Sequence, residues 1–224
     1  MKRFVIIVAG GSGQRMKSSV PKQFLAINNE IILMMSINSF YRFDNSIDII
    51  VALPEDQIST WKELCVKHNF IVKHSIVAGG QTRYHSVKNA LVKINTEGIV
   101  AIHDGVRPLV SHKTIEQVFE KATLSGNAVP YIDLVDSIRY VDSDVNRPVD
   151  REKYKLIQTP QGFKSSLIKK AYEQPWEESF TDDASVVEKF GDKINLIAGN
   201  RENIKITSQV DLKIAEVLKN YLSA

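Results

Sequence analysis

Short runs of β-branched residues alternate with longer amphipathic stretches along almost the whole chain, and this alternation restricts the possible folds more than any other feature. FVIIVA (4–9), IDIIVALP (47–54), FIVKHSIV (70–77), GIVAIHD (98–104), NAVPYI (127–132), YKLIQTP (154–160) and INLIAG (194–199) read as strands. Apolar residues at helical spacing fill 31–43, 55–68, 82–94, 111–125, 164–174, 181–190 and 208–222. Strands separated by helices need crossover connections, so most of them must lie parallel, with helices covering both faces of the sheet. The expected class is a doubly wound, Rossmann-like α/β fold occupying residues 1–224 as one domain. Its ligand is expected beyond the carboxyl ends of the strands. Residues 133–153, DLVDSIRYVDSDVNRPVDREK, break the rhythm. They are polar, rich in Asp and Arg, and contain strand-like SIRYV without a helical period, which predicts a protruding β-arm.

Composition removes several alternatives. A chain of 224 residues with 43% hydrophobic content buries about 70% of its unfolded surface and needs no covalent staples. The formal charge of +3 is too small for the clustered basic face of a nucleic-acid-binding protein, so local cations must carry any anion binding. Cys65 is the single cysteine. It excludes an internal disulfide, suits a reducing compartment and reads as a small packed hydrophobe. The N-terminal MKRFVIIVAGG has the charge and hydrophobicity of a signal peptide, but its apolar run is short and breaks into glycines, which favours a strand. No stretch approaches the roughly 20 apolar residues of a membrane helix. The expected location is cytoplasmic.

The loop after the first strand, AGGSGQRMKSSVPKQF (9–24), is glycine-rich yet fits neither common phosphate fingerprint. Met16 stands where the dinucleotide pattern needs its third glycine, and no Gly-Lys-Ser/Thr is present. Gly10, Gly11 and Gly13 allow backbone N–H groups to turn towards an anion, and Pro21 keeps the loop non-helical up to Lys22. Arg15 and Lys22 thus bracket a phosphate-sized loop, one as a planar fork and the other as a movable point charge. That pairing suits a triphosphate whose charge is rearranged during reaction. HDGVRP (103–108) ends an apolar strand with Asp104 and, three residues on, Arg107. A carboxylate there is suited to holding Mg²⁺ against phosphates, although an Asp–Arg pair closing a turn has the same sequence. His103 should face away from Asp104 along the strand.

The pattern A-G-G-x-G-x-R-M…P-K-Q-F resembles that of sugar-phosphate nucleotidylyltransferases. With GGQTRYHSV (79–87), HDGVRP, VDR (149–151), QTPQGF (158–163), TDDAS (181–185) and ENIKIT (202–207), seven motifs in order resemble the 2-C-methyl-D-erythritol 4-phosphate cytidylyltransferase family over nearly the whole chain. The resemblance implies transfer of CMP from CTP to 2-C-methyl-D-erythritol 4-phosphate, forming 4-diphosphocytidyl-2-C-methyl-D-erythritol for non-mevalonate isoprenoid synthesis, with pyrophosphate leaving and Mg²⁺ as cofactor. It assigns Arg15, Lys22, Lys205 and Arg151 to catalysis, and Ala9, Gly10, Gly11, Gly13, Gly80, Gln81, Arg83 and Ser86 to CTP. Asp104, Arg107, Ser137, Thr159 and Thr181 fall on the acceptor side, and Asp104 and Glu202 on the metal. The 133–153 arm would interlock two subunits in a homodimer, with Arg151 contributed to the neighbour's site.

Several of these residues also have plainer readings. Thr181 is suited to capping the helix that follows, and Lys205, between the isoleucines of NIKIT on a short β segment, alternates either towards a ligand or towards solvent. Two other functions also remain compatible with the chain. A ribitol-5-phosphate cytidylyltransferase would share the opening loop and differ in acceptor, and a nucleotide-binding module without catalysis would bind but not turn over.

Overall fold

The computed structural model describes residues 1–11 and 20–223. In chain order the elements are β1 (Lys2–Val8), β2 (Ala26–Ile27), β3 (Glu30–Ile31), α1 (Ile32–Phe43), β4 (Asp48–Leu53), α2 (Ile58–Lys67), β5 (Ser75–Ala78), α3 (Arg83–Leu91), β6 (Gly98–Asp104), α4 (His112–Ser125) and β7 (Asn127–Asp133). They continue with β8 (Arg139–Asp142), β9 (Val145–Pro148), β10 (Lys155–Ile157), β11 (Gln161–Lys164), α5 (Ser165–Ala171), α6 (Asp183–Phe190), β12 (Leu196–Ala198) and α7 (Gln209–Ser223).

The central sheet runs β10-β7-β11-β6-β1-β4-β5, with β12 also on β7. β5, β4, β1 and β6 are mutually parallel, as the alternation predicts, and β12 runs parallel to β7. Period-two patterning assigns the two faces. Val5 and Ile7 of β1 and Ile99 and Ala101 of β6 pack against α1, α2 and α4, around Phe40, Trp61 and Phe119. Their neighbours Phe4, Ile6, Val100 and Ile102 face α3, α5 and α6, around Tyr84, Val87, Ile168 and Val187. A smaller cluster joins Ile27, Ile32, Val106 and Ile206 to Ala215 of α7. Cys65 is half-buried against the first of these clusters, and burial pushes its thiol up, as suits a packed hydrophobe.

The structure departs from the sequence-based expectations in two strands. The run 70–77 yields a strand only from Ser75, because the ladder with β4 begins at the pair Ile50↔Ser75. The run 154–160 stops at Ile157. The chain then turns through Gln158–Pro160 and returns as β11, antiparallel to β6. Gln158, Thr159 and Gln161 are buried there and tie the sheet to neighbouring loops, which is why the apolar pattern fails.

The segment 133–153 contains the β8–β9 hairpin, paired from Arg139↔Pro148 to Asp142↔Val145, with every strand residue exposed. The expected β-arm is present. No helix among the described residues is long and apolar enough to cross a membrane.

Candidate active site

The parallel strands β1, β4, β5 and β6 end together, and their exit loops are sewn edge to edge. Ala9 N–H donates to the Ala52 carbonyl at 2.9 Å, Gly79 N–H to Leu53 at 2.7 Å and Gly105 N–H to Val8 at 2.8 Å. Beyond these ends lies a cavity of about 250 Å³, lined by Ala9, Gly10, Gly11, Lys22, Gln23, Gly80, Gln81, Thr82, Arg83, Ser86, Asp104 and Lys205, with Val8 and Val106. Four separate motifs thus meet in one hollow. A larger cleft of about 680 Å³ opens at the other ends of β4 and β5, beside Asp48 and Ser75. Parallel sheets present ligands at their carboxyl ends, and no glycine among the described residues lines that cleft, so the smaller cavity is the candidate site.

Lys22 and Gly11 are matched in shape. A Cβ on Gly11 would lie 3.1 Å from Lys22 Cε and 3.2 Å from its ammonium nitrogen, so a larger residue would press on the cation. Gly80 is equally constrained, because a Cβ there would overlap His85. Its N–H donates to Ser86 Oγ at 3.1 Å, and that hydroxyl donates to the Thr82 carbonyl at 3.0 Å. Ser86 therefore shapes the loop beside the cavity by one donated and one accepted bond. Gln81 is exposed on the rim. Gly13 and Arg15 lie outside the described residues.

Asp104 is the charge centre. Its Oδ2 accepts from Arg107 Nε at 3.2 Å and Lys205 Nζ at 3.0 Å, while Oδ1 meets Arg83 Nε at 3.5 Å. Burial alone would raise this carboxyl, but Arg83, Lys205 and Arg107 hold it well below the usual carboxylate range. The plain Asp104–Arg107 turn pair is present, with Arg107 N–H bonded to the Asp104 carbonyl at 3.0 Å. It forms only one side of a larger cluster. Arg107 also donates to the Asn203 carbonyl at 2.8 Å and is not among the cavity-lining residues.

Lys205 does line the cavity, although the expected β segment around it is absent: residues 203–207 form no strand. Ile206 N–H bonding to the Val106 carbonyl at 2.9 Å holds the segment instead, with Ile206 buried and Lys205 turned to Asp104.

His103 and Thr159 fix Asp104 from behind. His103 Nε2 faces the Arg107 carbonyl at 3.0 Å, which only accepts, so Nε2 carries the proton. Nδ1 then accepts from Thr159 Oγ1 at 3.1 Å, and the same hydroxyl accepts the Asp104 N–H at 3.0 Å. The Thr159 hydroxyl thereby also serves the scaffold. Burial pulls the imidazole down to about 4, and Arg107 opposes its charge.

A proton therefore binds His103 in the unfolded chain below about pH 6.5 but in the folded protein only near pH 4, so stability falls as pH is lowered between these values. The full loss is about 3 kcal/mol. Urea unfolding of wild type and His103→Gln at pH 7 and pH 4.5 checks this: the variant's stability should change less between the two.

Four other expected site residues sit elsewhere in the chain. Glu202 lines a different cavity, with Glu30, Arg42 and Lys219, and accepts from Asn200 Nδ2 at 3.1 Å, so the structure does not bring it to Asp104. Thr181 is exposed and is not the helix cap; Asp182 is, with a reciprocal bond to Ser185. Ser137 and Arg151 are exposed in the arm, where the Arg151 guanidinium donates to the Val135 carbonyl.

Sequence reasoning missed the residues that knit the motifs together. Gln161 donates to Asp182 at 2.7 Å and accepts the Ala184 N–H at 2.8 Å, joining β11 to α6. Asn203 donates to the Thr159 carbonyl at 2.8 Å, and Gln158 to that of Asn200 at 2.9 Å. Asp183, fully buried, takes both terminal nitrogens of Arg83.

A parallel sheet with a glycine loop at its carboxyl edge, and lysines and arginines converging there on one carboxylate, defines a Rossmann-like nucleotide-handling α/β protein. The comparisons with known proteins narrow that class. The sequence pattern of the family IspD, 2-C-methyl-D-erythritol 4-phosphate cytidylyltransferase, matches residues 4–220, and the chain belongs to this family. It is 50% identical over 218 residues to the 2-C-methyl-D-erythritol 4-phosphate cytidylyltransferase of Phocaeicola vulgatus, spanning 97% of this chain and 100% of that one. The protein of the same name from Bacteroides fragilis gives the same figures. Among solved structures, the enzyme of that name from Thermus thermophilus superposes with a TM-score of 0.81 at 30% identity, covering 98% of this chain and all of that one. The bifunctional IspDF of Campylobacter jejuni also superposes at 0.81 and 30% identity; the match covers 95% of this chain and 54% of that longer protein.

Proposed function

We propose that the protein transfers CMP from CTP to the phosphate of 2-C-methyl-D-erythritol 4-phosphate, releasing pyrophosphate and forming 4-diphosphocytidyl-2-C-methyl-D-erythritol for isoprenoid synthesis by the non-mevalonate route. The observation that carries this reading is the convergence of Lys22, Lys205, Arg83 and Asp104 on one glycine-lined cavity in a chain of this family.

In the proposed reaction an acceptor phosphate oxygen attacks the α-phosphorus of CTP in line, and the bond to the bridging oxygen of pyrophosphate breaks. The phosphate is largely ionised at neutral pH, so no strong base is needed, and positioning and charge neutralisation dominate. Lys22 and Arg15 neutralise the α-phosphate and the leaving pyrophosphate. Ala9, Gly10, Gly11 and Gly13 let the phosphates approach the backbone, while Gly80, Gln81 and Ser86 border the cytosine. Lys205 and Arg107 orient the acceptor, with Lys205 exchanging Asp104 for a phosphate oxygen.

The site fits a Mg²⁺ ion. Among the described residues no cluster of three or more His, Cys, Asp or Glu is present, but magnesium bound with nucleotide phosphates needs only one or two carboxylates. Asp104 supplies one, and among the described residues its Oδ1 carries only the long Arg83 contact. Bound there, the ion would neutralise phosphate charge.

The reading is tested by incubating the protein with CTP labelled at the α-phosphate. Label should enter a CDP-linked product only when acceptor phosphate and Mg²⁺ are both present; label released as free CMP would contradict it.

The same reading makes the arm an intersubunit device in a cytoplasmic homodimer. The exposed hairpin, the edge strand β10 and exposed Val141, Val145, Tyr154 and Leu156 support it, since such an edge needs a cover. Arg151 then serves the partner's site. Arg151→Ala and Lys22→Met subunits, each inactive alone, should recover about a quarter of wild-type activity after mixing and subunit exchange, because half the dimers are mixed and each of these has one intact site. No recovery, with exchange demonstrated by mass, would place Arg151 in cis.

A further inference from the structure

Arg83 opens α3 and Asp183 opens α6, so two helix N-termini meet at this pair. A cation at the start of a helix is opposed by the helix dipole, and a fully buried carboxylate is costly without a partner. Each residue therefore answers the other's need. Arg83 Nη1 donates to Asp183 Oδ1 at 2.9 Å and Nη2 to Oδ2 at 2.6 Å. The Tyr172 hydroxyl donates to the same Oδ1 at 2.6 Å. Its ring stacks on Tyr84, 4.7 Å between centroids, and the Tyr84 hydroxyl in turn donates to the Tyr172 carbonyl at 2.9 Å. Side chains from α3, α6 and the end of α5 thus hold one guanidinium.

The arrangement commits one N–H of each terminal nitrogen to Asp183, and Arg83 Nε faces Asp104 Oδ1 at 3.5 Å. The two oxygens of Asp104 become unequal: Oδ2 carries Arg107 and Lys205, while Oδ1 carries this one long contact among the described residues. A released Arg83 fork would have Asp104 as the next carboxylate within reach, and bidentate pairing is the strong geometry for these groups. We propose that Asp183, steadied by Tyr172, is a positioning residue that holds the Arg83 fork away from Asp104 and so keeps Oδ1 open for a divalent cation entering with the nucleotide. This rests on the nucleotide-transfer reading above.

Calorimetric titration of the full chain with CTP, alone and preloaded with Mg²⁺, tests the proposal in wild type, Asp183→Asn and Tyr172→Phe. Wild type should bind the magnesium complex more tightly than free CTP. In Asp183→Asn the advantage conferred by magnesium should shrink by about tenfold, while free CTP binds at least as well because a cation has been released into the cavity. Tyr172→Phe, which removes one hydroxyl and keeps the ring packing, should shift the same ratio in the same direction by about two- to threefold. A purely structural role for Asp183 would lower both affinities together and leave the ratio unchanged, and an unchanged ratio in both variants overturns the proposal. If Asp183→Asn does not fold, Tyr172→Phe decides by itself. A folded wild type that binds CTP in neither form would overturn the nucleotide reading, and the proposal with it, a result distinct from an unchanged ratio.

Discussion

Asp104→Asn is expected to lower turnover by about 10³-fold and to destabilise the free protein by about 3 kcal/mol. Both effects have one origin. The carboxylate is buried and is the shared counter-ion of Arg83, Arg107 and Lys205. The isosteric amide keeps the backbone bond to Thr159 but removes the anion that Arg107 and Lys205 share and leaves Arg83 with Asp183 alone. It also removes the carboxylate that the cavity offers to a nucleotide-bound cation. Pyrophosphate release under saturating substrates reads the first effect and urea unfolding the second. Loss of turnover with unchanged stability would mean that the three cations do not depend on Asp104.

Lys22→Met should reduce turnover by about 10²–10³-fold with little change in stability. The substitution retains most of the aliphatic stem and removes the charge that lies over Gly11, beside the cavity. A charge that acts mainly as negative charge accumulates at the α-phosphate lowers kcat more than it raises the KM for CTP. If only KM changed, Lys22 would be a binding cation for the ground-state triphosphate, and transition-state stabilisation would rest elsewhere.

Most elements of the fold were legible because their burial follows the periodicity. Phe4, Ile6 and Val8 alternate with Val5 and Ile7 between the two sheet faces, and that alternation alone identifies β1 as a central strand. β11 was not legible. Gln161 and Lys164 at its ends are polar, and Gln161 is buried by hydrogen bonds that no hydropathy pattern records. Within the site, the glycines, Lys22, Asp104 and Lys205 carried their own signal, as charges and turns at strand ends.

Asp183 did carry a signal of its own. Only one acid of TDDAS can cap the helix, and Asp183 stands three and four residues before the buried Val186 and Val187, on the core face of α6. An acid in an apolar stripe requires a cation, and Arg83 is that cation. Thr159 was placed on the acceptor side by the resemblance alone, and its bonds to Asp104 and His103, made across 55 and 56 residues of chain, were not legible. Contacts of that sequence separation leave no local pattern.

The identity of the acceptor is decided by pyrophosphate release from CTP and Mg²⁺, with 2-C-methyl-D-erythritol 4-phosphate and ribitol 5-phosphate compared in parallel. Release with the methylerythritol phosphate, and none above background with ribitol 5-phosphate, is the predicted result. Release with ribitol 5-phosphate alone would contradict the acceptor assignment while keeping the nucleotide site, and a folded protein silent with both would contradict catalysis itself.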